Sequence, residues 1–238
     1  MRGLFSLLLA VLVAWPAAAG VVVAKKNPDA CAACPDAAIG ADVLCEDANG
    51  AALCTWTGTQ TQFNFATARS GTGWTCNDGG NAVLQISNGA AENPTATISE
   101  TDVYVTVWVN VISDDGSTYN QNLIGLATSP IIVALRYDSP GNVFELFWKD
   151  QTNTTQVVTL ASSVTNNTWH RVDIHWVSNQ ADAGITAKWD GSNVDLTGVT
   201  DSTLTGTLTT VYLVSGSGVT WQIDNFKIDD DTEPGACQ

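Results

Sequence analysis

The stretch Thr168–Val194, TWHRVDIHWVSNQADAGITAKWDGSNV, decides the fold. Within it His170, Val172, Ile174 and Trp176 alternate with Arg171, Asp173 and His175, the period-2 pattern of a strand buried on one face. After a polar loop Ile185, Ala187 and Trp189 repeat the pattern, and Asp190-Gly191 supplies the two positive-φ residues that a type I′ hairpin turn requires. The segment therefore predicts antiparallel strands joined by short turns.

The same signals extend in both directions. Strand-like runs, separated by Gly, Asn, Asp and Ser clusters, occur at Gln62–Thr67, Asn81–Ile86, Thr95–Ser99, Val103–Ser113, Asn122–Ala127, Ile131–Tyr137, Asn142–Lys149, Thr155–Ala161, Trp169–Val177, Gly184–Trp189, Val194–Thr197, Leu208–Val214 and Val219–Ile228. No window holds a 3.6-residue period across three turns. That many short strands in one stretch predict a single all-β, two-sheet antiparallel sandwich over residues 43–230. Of the nine tryptophans, only Trp15 precedes this stretch, and the others are large enough to fill the roughly 10 Å gap between packed sheets.

Residues 1–19 read as a secretory signal: Arg2, an apolar core from Leu4 to Val13, then Ala17-Ala18-Ala19. Cleavage after Ala24 fits as well. The apolar run falls short of the ~20 residues a membrane span needs. Residues 20–42 are Ala-rich and Pro-punctuated, a Cys-containing lead-in, and residues 231–238 form a C-terminal tail. The expected location is extracellular or periplasmic, with no membrane insertion after signal removal.

The chain carries a formal charge of −15, and losing Arg2 leaves eight basic against 24 acidic residues, about −16. Nucleic acid is excluded as a partner, because its phosphates require Lys and Arg to replace condensed counterions. Neutral glycans, cell-surface proteins and divalent cations remain compatible. Cys31, Cys34, Cys45, Cys54, Cys76 and Cys237 in an exported chain point to structural disulfides. Sequence does not choose their pairing. A zinc knuckle or a redox pair at Cys31-x-x-Cys34 fits less well, since neither the later spacing nor a βαβ pattern accompanies it.

Trp169-His170-x-Val172 followed by Asp190-Gly191 resembles the hairpin of the concanavalin A-like lectin/glucanase and laminin-G jelly rolls. Cys45-Glu46-Asp47 with Cys54-Thr55-Trp56 resembles their opening strand, Ala82–Ser87 the next, Asp102–Val111 the long central one, and Trp221–Ile228 the closing one. The resemblance spans nearly all of residues 43–230 and implies a jelly roll. It leaves function open, because one fold hosts lectins, hydrolases, lyases and adhesion modules. It also implies a structural calcium ion joining Glu46 or Asp47 to Asp224. The competing reading of Asp224 is a cap on a nearby backbone amide.

Glycan-cleaving members need a pair of carboxylates on one face. The Glu-x-Asp-x-(x)-Glu cluster of the glucanases is missing here, and the Gln-Ile-His of the lyases is replaced by Asp173-Ile174-His175. A divergent hydrolase or lyase would have to assemble Glu145, Asp173, His175 and Arg171 from neighbouring strands. His170, in phase with apolar residues, reads as a core-edge histidine donating to a backbone carbonyl, and His175 as solvated. The candidate ligand contacts are Tyr104, Trp108 and Asn110, one phase of the Val103–Ser113 run, with the two rings about 13 Å apart. Burial beneath neighbouring chain is the competing reading. The sequence thus favours a non-catalytic recognition module binding glycan or a cell-surface partner, ahead of an enzyme or a surface or virion scaffold.

Overall fold

The structure, a computed structural model, describes residues 44–46, 61–76, 82–89, 92–116, 120–128, 131–149, 154–178, 184–196, 206–215 and 218–230. Its strands are β1 (Leu44–Glu46), β2 (Phe63–Ala68), β3 (Ala82–Ile86), β4 (Thr95–Glu100), β5 (Asp102–Asp114), β6 (Asn120–Thr128), β7 (Ile131–Asp138), β8 (Val143–Lys149), β9 (Thr155–Ala161), β10 (His170–Val177), β11 (Ile185–Trp189), β12 (Ser192–Asn193), β13 (Leu208–Leu213) and β14 (Val219–Asp229). Eight of them form one sheet in the order β12-β11-β10-β5-β14-β3-β2, with β1 also pairing to β14. The other six form the second, β4-β13-β6-β7-β8-β9. Every pairing within the sheets is antiparallel. The fold is the expected all-β two-sheet jelly roll. No helix among the described residues is long and apolar enough to cross a membrane.

Period-2 alternation explains the layering. Val103, Val105, Val107, Val109 and Val111 of β5 lie at most 3% exposed on the inner face, and Phe144, Leu146 and Trp148 of β8 meet them from the other sheet in one continuous core. Trp176 and Trp221 are also enclosed there, each a burial worth about 1.5–3 kcal/mol or more. Tyr137 spans the gap between the sheets. Its hydroxyl donates to Asp114 at 2.9 Å, and burial first, then the Asp114 carboxylate, raises the phenol's pKa.

The opening hairpin behaves as its sequence requires. Asp190 and Gly191 take φ values of 47° and 80°, and Trp189 pairs with Ser192 immediately after the turn. The expected strand at Val194–Thr197 is displaced to β12, because a two-residue turn starts the return strand at once. Val194 and Leu196 instead pack irregularly against the core. First and last strands adjoin, Glu46 standing opposite Phe226.

The signal, lead-in and tail lie outside the described residues, with Cys31, Cys34, Cys54, Cys237 and Asp47. Cys45 falls in β1, and Cys76 is buried. None of the described cysteines is free.

Candidate functional site

Register assigns the outward side chains of the eight-stranded sheet to rows that cross it. One row carries Thr186, His175, Tyr104 and Asp229; the next Lys188, Asp173, Thr106 and Lys227; a third pairs Arg171, Trp108 and Asp224. The face is closed. Trp108 is 5% exposed, Asn110 0%, Asp224 2% and Lys227 4%.

The 69–76 segment does much of this closing. Its Trp74 ring centroid stands 5.0 Å from those of both Trp108 and Trp169. Arg69 lies 3.7 Å over Trp74 and bonds the Asp224 carboxylate at 2.5 Å. Asn110 and the Trp169 indole both donate to the Ser70 carbonyl, at 3.1 and 2.6 Å. Gly71 makes the approach feasible: its φ is 86°, and a Cβ there would collide with the Asn167 carbonyl. Trp108 and Asn110 are thus roofed over, while Tyr104 remains partly exposed at the sheet's end.

Tyr104 stacks on His175, ring centroids 3.8 Å apart and 5° from parallel. His175 Nε2 bonds Asp102 at 2.7 Å, on a side chain 26% exposed. Asp173 accepts from Thr106 at 2.7 Å and from Arg171 at 2.8 Å. His170 does not face a backbone carbonyl; its Nδ1 meets the Asp190 carboxylate at 2.8 Å and its ring stacks on Trp189. The turn that brings Asp190 back over β10 supplies this partner. Burial pushes the Asp190 pKa up, but bonds from His170 and the Arg171 amide outweigh it and hold the group below its usual range.

The four-residue catalytic constellation is not assembled. Glu145 lies in β8 of the six-stranded sheet, whereas Arg171, Asp173 and His175 lie in β10 of the other. They project from opposite sides of the sandwich, and no common groove holds Glu145 and Asp173 at the roughly 5–9.5 Å that hydrolysis needs.

Asp224 likewise has its needs met: Oδ2 accepts from Arg69 and Oδ1 from the Asn225 amide at 2.8 Å. A guanidinium already supplies the positive charge a calcium ion would bring, so the described residues do not by themselves fit an ion at Asp224. Among the described residues no group of three or more His, Cys, Asp or Glu converges on a metal-sized site.

The six-stranded sheet presents a different outer face. Register aligns Thr95, Tyr212, Gly125, Ala134, Phe147 and Val157 in one row across all six strands. The Tyr212 phenol lies over Gly125, where any Cβ would strike the ring, and Asn122 donates to its hydroxyl at 3.4 Å. Burial raises the Tyr212 pKa, against the lowering effect of that bond. Three strand spacings separate the Tyr212 and Phe147 backbones, about 14 Å, with Gly125 beneath the Tyr212 ring and the small Ala134 between it and Phe147.

Beside Phe147, Arg136 holds Glu145 through Nε at 2.8 Å and its terminal nitrogen at 2.6 Å, its guanidinium 5.2 Å from the ring. Arg136, Asp138, Glu145 and Lys149, the outward charges of β7 and β8, cancel one another. Exposed Thr97, Thr155, Thr159 and Thr209 add hydroxyls. Such a face can stack an apolar sugar face on aromatic rings and bond its hydroxyls, and the carboxylate next to Phe147, Glu145, is already paired with Arg136.

Phe147 stands in opposite phase to Phe144, Leu146 and Trp148, and Tyr212 in opposite phase to Val211 and Leu213. That phase is a usable sequence signal for outward rings. Their alignment in one row is not, since it depends on the order β13-β6-β7-β8.

No protein-family model and no curated protein matches the sequence. Solved structures do. The chain resembles "Cellulose induced protein, Cip1" with a TM-score of 0.53 at 14% identity, over 81% of this chain and 100% of that one. It resembles the botulinum neurotoxin type G receptor binding domain with a TM-score of 0.53 at 16% identity, over 82% and 49%. The globular domain of T. cruzi calreticulin matches with a TM-score of 0.51 at 12% identity, over 80% and 88%. The chain spans about half the length of the botulinum neurotoxin chains it matches. At these identities the likeness shows the sandwich fold.

Proposed function

We propose that this chain is an exported, non-catalytic recognition module that binds a neutral glycan across the outer face of its six-stranded sheet. The observation that carries the reading is the row Tyr212–Gly125–Ala134–Phe147–Val157: two outward aromatic residues on strands about 14 Å apart, the Tyr212 ring laid over Gly125 and the small Ala134 between it and Phe147. Sugar rings present apolar faces that stack on such rings, and hydroxyls that threonines and the Arg136–Glu145 pair can bond. The cancelled charge on β7 and β8 favours a neutral ligand over an anionic one in a chain of −15. The resemblance to the concanavalin A-like superfamily accords with this reading, as do structural neighbours whose names include a receptor-binding domain and a cellulose-induced protein. The predicted signal and disulfides fit an extracellular or periplasmic setting.

Catalysis is disfavoured because Glu145 is held by Arg136 and faces no second carboxylate in its row. The test is a panel of immobilised neutral polysaccharides, probed with and without calcium. Retention on at least one polymer, with no reducing ends released, is expected. No retention on any of them removes the glycan reading.

A further inference from the structure

The outward faces of β7 and β8 set one arginine directly opposite one glutamate. Alternation turns Arg136 away from its core neighbours Leu135 and Tyr137, and Glu145 away from Phe144 and Leu146. Register then makes the two charges cross-strand partners. It also extends their row to Asn122 on β6 and to the exposed Thr159 on β9. This polar row runs beside the Tyr212–Phe147 row, about 7 Å from it along β7 and β8.

The ion pair is not closed on itself. A fork-to-fork contact would occupy both carboxylate oxygens, but here Nε and Nη2 both donate to Oε2, at 2.8 and 2.6 Å. Oε1 of Glu145 and Nη1 of Arg136 make no hydrogen bond with any described residue, and neither is sealed from solvent. The Phe147 ring centre lies 5.2 Å from the guanidinium carbon and steadies its plane. The two side chains are otherwise well packed, 15% and 14% exposed. One open acceptor and one open donor edge are thus held next to a stacking ring, with little rotamer freedom left to lose on binding.

Those two groups complement a pair of neighbouring hydroxyls. One hydroxyl can donate to the carboxylate oxygen while the next accepts from the guanidinium, which has donors only. We infer that the Arg136–Glu145 pair reads a vicinal diol, so that the face selects a glycan whose rings keep two adjacent free hydroxyls. A 1,4-linked chain keeps such a pair, at C2 and C3, on every inner ring. A 1,3-linked chain spends O3 of every inner ring in the linkage, and a diol remains only at its non-reducing end. The open carboxylate oxygen repels uronates and sulfated sugars, in keeping with a neutral ligand. The inference rests on the glycan reading and adds to it the linkage class.

Calorimetric titration with two isomers, the β-1,4-linked and the β-1,3-linked glucose hexasaccharide, tests it. The 1,4-linked isomer should bind the wild type roughly tenfold tighter, the worth of one charge-assisted hydrogen bond. Arg136→Lys keeps the charge but loses the fork, and should bring the two isomers within about twofold of each other; circular dichroism checks that its sheets are intact. A second arm needs no variant: the 1,4-linked hexasaccharide methylated at O2 and O3 should bind the wild type no better than the 1,3-linked isomer. Equal affinity of the wild type for the two isomers, a preference for the 1,3-linked one, or a preference that survives in Arg136→Lys would overturn the diol and leave the glycan reading standing. Binding of neither isomer would also remove the diol. Retention on another polysaccharide of the panel would then keep the glycan reading, and no retention at all would remove both.

Discussion

The two outer faces of one sandwich have been put to opposite uses. On the eight-stranded sheet, Trp108, Asn110 and Asp224 are buried to a few per cent beneath residues 69–76, with Arg69 stacked on Trp74 and paired to Asp224. On the six-stranded sheet the outward Tyr212, Arg136, Glu145 and Phe147 stay partly exposed and Val157 exposed, and the Tyr212 ring lies close enough over Gly125 to exclude any larger residue. Alternation alone treats these faces alike. Among the described residues the difference comes from the 69–76 segment that crosses one of them, and it separates a face that holds the fold from a face whose rings stand outward.

The sharpest break of this comparison is the ion pair on each side. Asp224→Asn leaves Arg69 buried without its counter-charge and should cost about 3–5 kcal/mol in urea denaturation. Glu145→Gln on the open face should cost no more than about 1 kcal/mol. The same variant tests calcium. With Arg69 as the counter-charge, melting curves in EDTA and in millimolar calcium should coincide for the wild type. A calcium-dependent rise that Asp224→Asn abolishes would place an ion at that carboxylate.

Gly125→Ala comes next. A methyl beneath the Tyr212 ring forces it off the sheet, an overpacking effect of about 1–3 kcal/mol, and denaturation should report it together with a change in Tyr212 fluorescence. An unchanged midpoint would mean the ring moves aside freely and does not form a fixed platform.

The smallest effect is electrostatic. Asp190 has its folded pKa held below its ordinary value, so its stabilising contribution is complete above the unfolded carboxylate range and is lost as pH falls through the folded value. The stability gap between wild type and Asp190→Asn should be constant near neutrality and narrow below about pH 4. A gap that widens on acidification contradicts the His170–Asp190 clamp.

Much of this fold is readable in the chain. The alternation of β10 and β11, the Asp190-Gly191 turn and the long β5 follow from local pattern, since period 2 and turn chemistry act over a few residues. Local pattern also sets Phe147 outward. It does not reveal that residues 69–76 roof Trp108, because that contact links segments tens of residues apart through Ser70, Gly71 and Asn167. Tyr104, Trp108 and Asn110 share a phase in the sequence, yet in the structure the last two lie under that roof. Nor does local pattern place Glu145 and Asp173 on opposite faces, which is a property of strand order.

The claim that the open face binds and the roofed face stabilises is tested most directly by titrating a retained neutral glycan into three proteins by calorimetry: wild type, Phe147→Ala and Tyr104→Ala. Losing one stacking ring should weaken binding by about 1–1.5 kcal/mol, roughly tenfold, so Phe147→Ala should fall by that amount while Tyr104→Ala keeps wild-type affinity. Full affinity in Phe147→Ala with loss in Tyr104→Ala would move the site to the eight-stranded sheet and contradict the account.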